Sequence, residues 1–113
     1  MSPANFLAID AATNTGTVTS DAYPAQFLVG ATAQASFTDN TAAGSLKLQG
    51  SNDPKSPTNW SDIPSTATAV ASGATTATPP LAAYLCYQWI RVAFVRSGGA
   101  GTLSAYLHTW SAV

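Results

Sequence analysis

The chain has 113 residues, of which 46% are apolar and only 8% charged, with a formal net charge of −1; globular domains usually carry about 25% charged residues. Its four bases (Lys47, Lys55, Arg91 and Arg96) are scattered, which argues against nucleic acid, because phosphate binding needs clustered Lys and Arg. No apolar run approaches the ~20 residues of a membrane-spanning helix, so no membrane role is expected.

A chain of this length buries roughly 60–70% of the surface its unfolded form exposes, so residues 1–113 are read as a single domain, with residues 1–7 as an N-terminal arm. The acids are Asp10, Asp21, Asp39, Asp53 and Asp62, and Ala, Thr and Ser together supply 49 residues. Solvent-facing positions must then be mostly hydroxyls, amides and small methyls, and a lone soluble domain usually has more charge than this. Either the surface is sparsely charged throughout, or much of it is covered in an assembly. The opening Met1-Ser2-Pro3-Ala4-Asn5 lacks the basic start and apolar block of a signal peptide, so a cytoplasmic origin is expected. Cys86 is the single cysteine; no internal disulfide forms, and its apolar neighbours mark it as a small buried hydrophobe.

In chain order, period-two alternation predicts strands and little helix. Residues 6–10 form a first strand, 11–16 a turn, and 17–20 a second strand that Pro24 interrupts, since proline cannot donate to a ladder. Residues 26–29 are a short edge piece. Residues 31–38 alternate cleanly, with Ala33, Ala35 and Phe37 on one side. Residues 45–50 place Leu46 and Leu48 inward, and antiparallel pairing of these two neighbours through residues 39–44 is the expected hairpin. Residues 51–59, with two prolines, form a loop, and residues 60–63 a short strand. Residues 64–80 are nearly all Ala, Thr and Ser; they make either two thin strands around Ser72-Gly73 or a loop ordered by a neighbouring copy. Residues 87–95 are the strongest strand, with Ile90, Val92 and Phe94 on one face. Residues 102–109 close the sheet with Leu103, Ala105 and Leu107 inward, and a second hairpin with the preceding strand is expected. About eight short strands result: an all-β antiparallel sandwich of jelly-roll type.

No catalytic, cofactor or metal site is expected. His108 is the single histidine, with no carboxylate motif to hold it as a base, and reads as an exposed polar residue. Asp39-Asn40 and Asn52-Asp53 could offer oxygens to Ca²⁺ but serve more simply as turn residues. Residues 98–101 join two strands and lack the ending of a phosphate loop. The aromatics Trp60, Trp89, Trp110, Tyr23, Tyr84, Tyr87 and Tyr106 divide between core or subunit interface and a sugar-stacking platform, with Trp110 the most exposed. Arg91, flanked by Trp89, is expected to stack on a ring or pair with Asp62, making Arg91, Trp89 and Asp62 a structural lock between strands.

Those residues carry a resemblance. Leu46-Lys47-Leu48-Gln49-Gly50-Ser51-Asn52-Asp53, Asn59-Trp60-Ser61-Asp62-Ile63 and Tyr87-Gln88-Trp89-Ile90-Arg91-Val92 resemble the skeleton of discoidin-like jelly rolls. The chain as a whole resembles a group of small tailed-phage virion proteins that share Gly-Thr-Val-Thr-Ser, here residues 16–20, and Gly-x-Gly-Thr-Leu-x-Ala-Tyr, here ending at Tyr106. The resemblance implies a capsid decoration (cement) protein: a homotrimer on the exterior of the virion, assembled in the host cytoplasm, whose partner is the major capsid protein. On that expectation Met1, Ser2, Pro3, Phe6, Leu7, Val70 and Trp110 are the candidate capsid or subunit interface. The alternative is a phage tail or fibre carbohydrate-binding module using Trp110, Tyr106 or the loops around Trp60.

Overall fold

The computed structural model describes residues 2–13, 16–25, 28–38, 41–52, 59–64, 66–77, 82–83 and 87–111, with backbone alone for 2, 3, 77, 82 and 83. Met1, Asp39, Asn40, Asp53 and Cys86, and most of the loop expected at 51–59, lie outside the described residues. The strands are β1 (Ser2–Thr13), β2 (Val18–Thr19), β3 (Tyr23–Pro24), β4 (Leu28–Thr38), β5 (Ala43–Ser51), β6 (Ser61–Asp62), β7 (Thr68–Val70), β8 (Thr76–Ala77), β9 (Ala82–Ala83), β10 (Trp89–Gly98) and β11 (Thr102–Ser111). Every pairing among them is antiparallel.

Two sheets form. The first runs β1-β11-β4-β8, with β9 also on β4; the second runs β2-β10-β5-β6, with β3 also on β10 and β7 also on β5. In three places two short strands share one neighbour, so the eleven segments occupy eight positions. Numbered along the chain, those positions lie in the order 1-8-3-6 in one sheet and 2-7-4-5 in the other. That is a double-sheet jelly roll.

The alternation selects the core. Ala33, Ala35 and Phe37 of the first sheet are buried, as are Leu103, Ala105 and Leu107; Leu46, Leu48, Ile90, Val92 and Phe94 of the second are fully enclosed. Each enclosed Leu, Ile or Val contributes about 1.5–3 kcal/mol relative to exposure. Phe37 and Phe94 meet edge to face across the two layers, with centroids 5.5 Å apart, a favoured aromatic geometry.

Both expected hairpins are corrected. β4 and β5 lie in different sheets, and so do β10 and β11. Each of these strands has one fully apolar row. Side by side, two such rows would make a broad apolar face still in need of a cover; set opposite each other, they cover one another. The two crossing connections are tied together. Thr41 donates its backbone N–H to the Ala100 carbonyl at 2.8 Å, and the Ala100 N–H reaches Thr41 Oγ1 at 3.1 Å. Gly99 sits in this junction with φ +73°, where a Cβ would stand 2.0 Å from the Thr41 carbonyl oxygen.

The sheet edges are mostly interrupted. Between β2 and β3, Ser20 Oγ accepts the Val92 N–H at 2.9 Å and replaces a ladder bond. Between β6 and β7, Thr66 Oγ1 accepts the Leu48 N–H at 3.2 Å and donates to the Ile63 carbonyl at 2.8 Å. β1 is the long edge, and its pairing with β11 shifts register between Leu7 and Ile9 and between Ile9 and Ala12. Ala11 stands in that bulge at φ 47°, its N–H held by Ser104 Oγ at 2.9 Å. Residues 2–7, expected as an arm, are the regular half of β1, paired position by position with β11. The Ala/Thr/Ser stretch forms β7 and β8 around Gly73, as the two-strand reading expected, and joins the second sheet to the first. Val70 points into the core, 4% exposed, so its place among the interface candidates is corrected: the alternation of β7 turns it inward.

Candidate functional site

The two outer faces differ in chemistry. On the second sheet, Arg91 of β10, Gln49 of β5 and Asp62 of β6 stand in one transverse row, because Arg91 pairs with Gln49 and Gln49 with Asp62 in the ladder. Arg91 Nε donates to Gln49 Oε1 at 2.9 Å, and Gln49 Nε2 donates to Asp62 Oδ1 at 3.0 Å. Lys47 Nζ reaches Asp62 Oδ2 at 2.8 Å. The Arg91 guanidinium lies over the Trp60 ring, 4.3 Å from its centroid.

The Arg91 lock therefore uses Trp60 as its ring and meets Asp62 through Gln49. Trp89 stands on the same strand, half-buried and paired with Ser51 and Pro24. Hydrogen bonds from Lys47 and then Gln49 hold the Asp62 carboxyl below its ordinary pKa, and burial lowers the pKa of Arg91. This face is a structural brace across three strands.

The first sheet carries one formal charge in its described strands, Asp10, whereas the strands of the second carry Lys47, Asp62, Arg91 and Arg96. Its outer face is built on β11, a strand with neighbours on both sides, β1 and β4. Alternation projects Tyr106, His108 and Trp110 outward from it. Register then sets Leu7 and Gln34 beside Tyr106, and Asn5 and Thr32 beside His108. Tyr106 is 51% and Leu7 48% exposed.

His108 meets Trp110 edge to face at 4.5 Å between centroids, and its Nδ1 is hydrogen-bonded to Asn5 Oδ1. An amide oxygen only accepts, so Nδ1 is the donor of this pair, and in that tautomer Nε2 is an acceptor. Asn5, Thr32, Gln34, Tyr106 and His108, with Ala33 at the floor, line a shallow groove of about 150 Å³. Phe6 turns the other way and closes the sandwich edge against Tyr23, ring centroids 4.8 Å apart. Burial, and then the nearby Asp21, raise the pKa of Tyr23.

Of the interface candidates, Phe6, Leu7 and Trp110 thus sit on or beside the first sheet, the backbones of Ser2 and Pro3 pair with Ser111 and Trp110, and Val70 is core. Sequence reasoning passed over Asn5, Thr32 and Gln34. The alternation of residues 31–38 put Thr32 and Gln34 outward, but nothing in the chain order set them beside Tyr106.

The fold is an antiparallel jelly-roll sandwich. No family model matches the chain, and no curated protein does. Among solved structures the chain is similar to the crystal structure of the SPBc2 prophage-derived protein YomS, with TM-score 0.59 over 95% of this chain and 93% of that one, at 11% identity. That likeness is one of fold.

Proposed function

We propose that the chain is a bacteriophage virion structural protein, a capsid decoration or cement protein that binds the assembled major-capsid shell and bridges neighbouring subunits. The observation that carries this reading is the regular half of β1. It is a long edge at the margin of a nearly uncharged sheet, with Phe6 38% and Leu7 48% exposed beside it. An edge of that kind offers backbone groups and apolar side chains to a partner. The jelly-roll fold, shared with a prophage-derived protein, and the resemblance of the sequence to small tailed-phage virion proteins support it.

The mechanism is binding without catalysis. A ligand that recognises only the assembled shell stabilises that state by mass action. Apolar area covered around Phe6 and Leu7 would supply the attraction at about 25 cal/mol per Å². The protein acts as a homotrimer on the capsid exterior, so sedimentation should give three times the 11.5 kDa chain mass.

Adding purified protein to expanded shells and measuring their resistance to heat and osmotic shock tests the proposal. Protection that saturates with occupancy and weakens in Leu7→Ser supports it. Saturating occupancy with no protection overturns it.

A further inference from the structure

We propose that the groove on the outer face of the first sheet, centred on Tyr106, binds a neutral saccharide. This goes beyond shell attachment and does not rest on it: the edge of β1 is the docking element there, whereas the groove here is set by the outward side chains of β11 with Asn5 of β1 and Thr32 and Gln34 of β4.

The lining has the chemistry of a sugar ring. Tyr106, half exposed in the lining, is an amphipathic ring whose apolar body suits the C–H surface of a pyranose. Beside it stand groups that both donate and accept, the Gln34 amide and the Thr32 hydroxyl as well as its own phenol, with the Asn5 amide nitrogen as a donor and His108 Nε2 as an acceptor. Vicinal sugar hydroxyls also donate and accept, so such pairs can be met without a charge. The described strands of this sheet bear only Asp10, which fits a neutral occupant and disfavours a nucleic acid strand, whose backbone needs a positive groove. An extended peptide is disfavoured for a different reason. β11 is already hydrogen-bonded to β1 and β4 on its two sides, so it has no free ladder for an added strand.

The groove is also pre-organised. Asn5 fixes the His108 ring by a hydrogen bond, and Trp110 meets that ring edge to face. These residues stand on regular strands, where a site is held more rigidly than on loops. At about 150 Å³ the groove accommodates one ring and is smaller than the roughly 300–1,000 Å³ of drug-sized pockets. Monovalent binding is accordingly weak, in the millimolar range, and several copies on one particle would raise it through avidity.

The test titrates the full chain with neutral probes (glucose, galactose, N-acetylglucosamine and their short oligomers) and follows its amide NMR spectrum. The expected result is saturable shifts at Asn5, Thr32, Gln34, Tyr106 and His108 for at least one probe. Tyr106→Ala and Gln34→Ala, both at exposed positions, weaken it about ten-fold or more with the melting temperature unchanged, while Trp60→Ala on the opposite face leaves it intact. No saturable shift with any probe overturns the proposal, and so does binding that survives both substitutions. A concentration-dependent mass increase that Tyr106→Ala abolishes, without sugar, also overturns it, because the face would then belong to a second copy. A protein that protects shells but binds no sugar separates this failure from failure of the shell reading.

Discussion

The outer faces of the two sheets cover the same core and use their side chains for opposite purposes. On the second sheet the polar groups satisfy one another: Lys47, Asp62, Gln49, Arg91 and Trp60 form a closed row of contacts across β5, β6 and β10. On the first sheet the polar groups of Gln34, Thr32 and Tyr106 line an open groove. The contrast teaches that the charged groups of the second face are used on one another, bracing the short edge strand β6, while the charge-poor face keeps its hydrogen-bonding capacity for something else.

The largest effect should come from the junction that holds both sheets in register. Gly99→Ala must combine a left-handed backbone with a Cβ driven against the Thr41 carbonyl, so a loss of about 3 kcal/mol or more is expected in urea denaturation. Next is the brace. Arg91→Ala removes the Trp60 stack and the bond to Gln49, an expected cost of about 1–3 kcal/mol. Arg91→Lys should recover only part of it, because a lysine lacks the planar fork that lies on the ring.

The first sheet should behave otherwise. Gln34→Lys, at an exposed position, should change stability by no more than about 0.5 kcal/mol yet lower glycan binding, since it sets a cation in a neutral groove. An equal loss of stability from Gln34→Lys and Arg91→Ala would erase the contrast between the faces. The smallest effect is on acid stability. Because the Asp62 pKa is lowered in the folded protein, its contribution is present above the ordinary carboxylate range and is lost as pH falls through the lowered folded value. Asp62 is largely exposed, so the pair contributes about 0.2–1 kcal/mol. Asp62→Asn should lower the melting temperature slightly at pH 7 and leave it nearly unchanged at pH 2.

Much of this fold is legible in strand alternation. The inward rows at Ala33, Ala35 and Phe37, at Leu46 and Leu48, and at Ile90, Val92 and Phe94 follow from a period of two. That period says which face a side chain takes but not which strand lies alongside. Adjacent strands β4 and β5 were therefore expected to pair, although their apolar rows are better covered by facing each other. The candidate site was less legible for the same reason. Asn5 and His108 are 103 positions apart, and only the register of β1 on β11 brings them together. Arg91 was identified as a stacking residue, but its ring is set by the β5–β6 pairing, which brings Trp60 beside it.

The broken edges have a consequence for assembly. Three of the four sheet margins are made of two- or three-residue strands, with Pro24 standing in one and Pro64 beside another. The fourth, β1, is regular only over residues 2–7 before its bulge. Among the described residues this is the single long regular margin, so a body that joins one neighbour through it has no second such margin to offer. Strand-by-strand growth through the described edges thus stops after one addition, so a chain with so little charge is kept from running on into fibres.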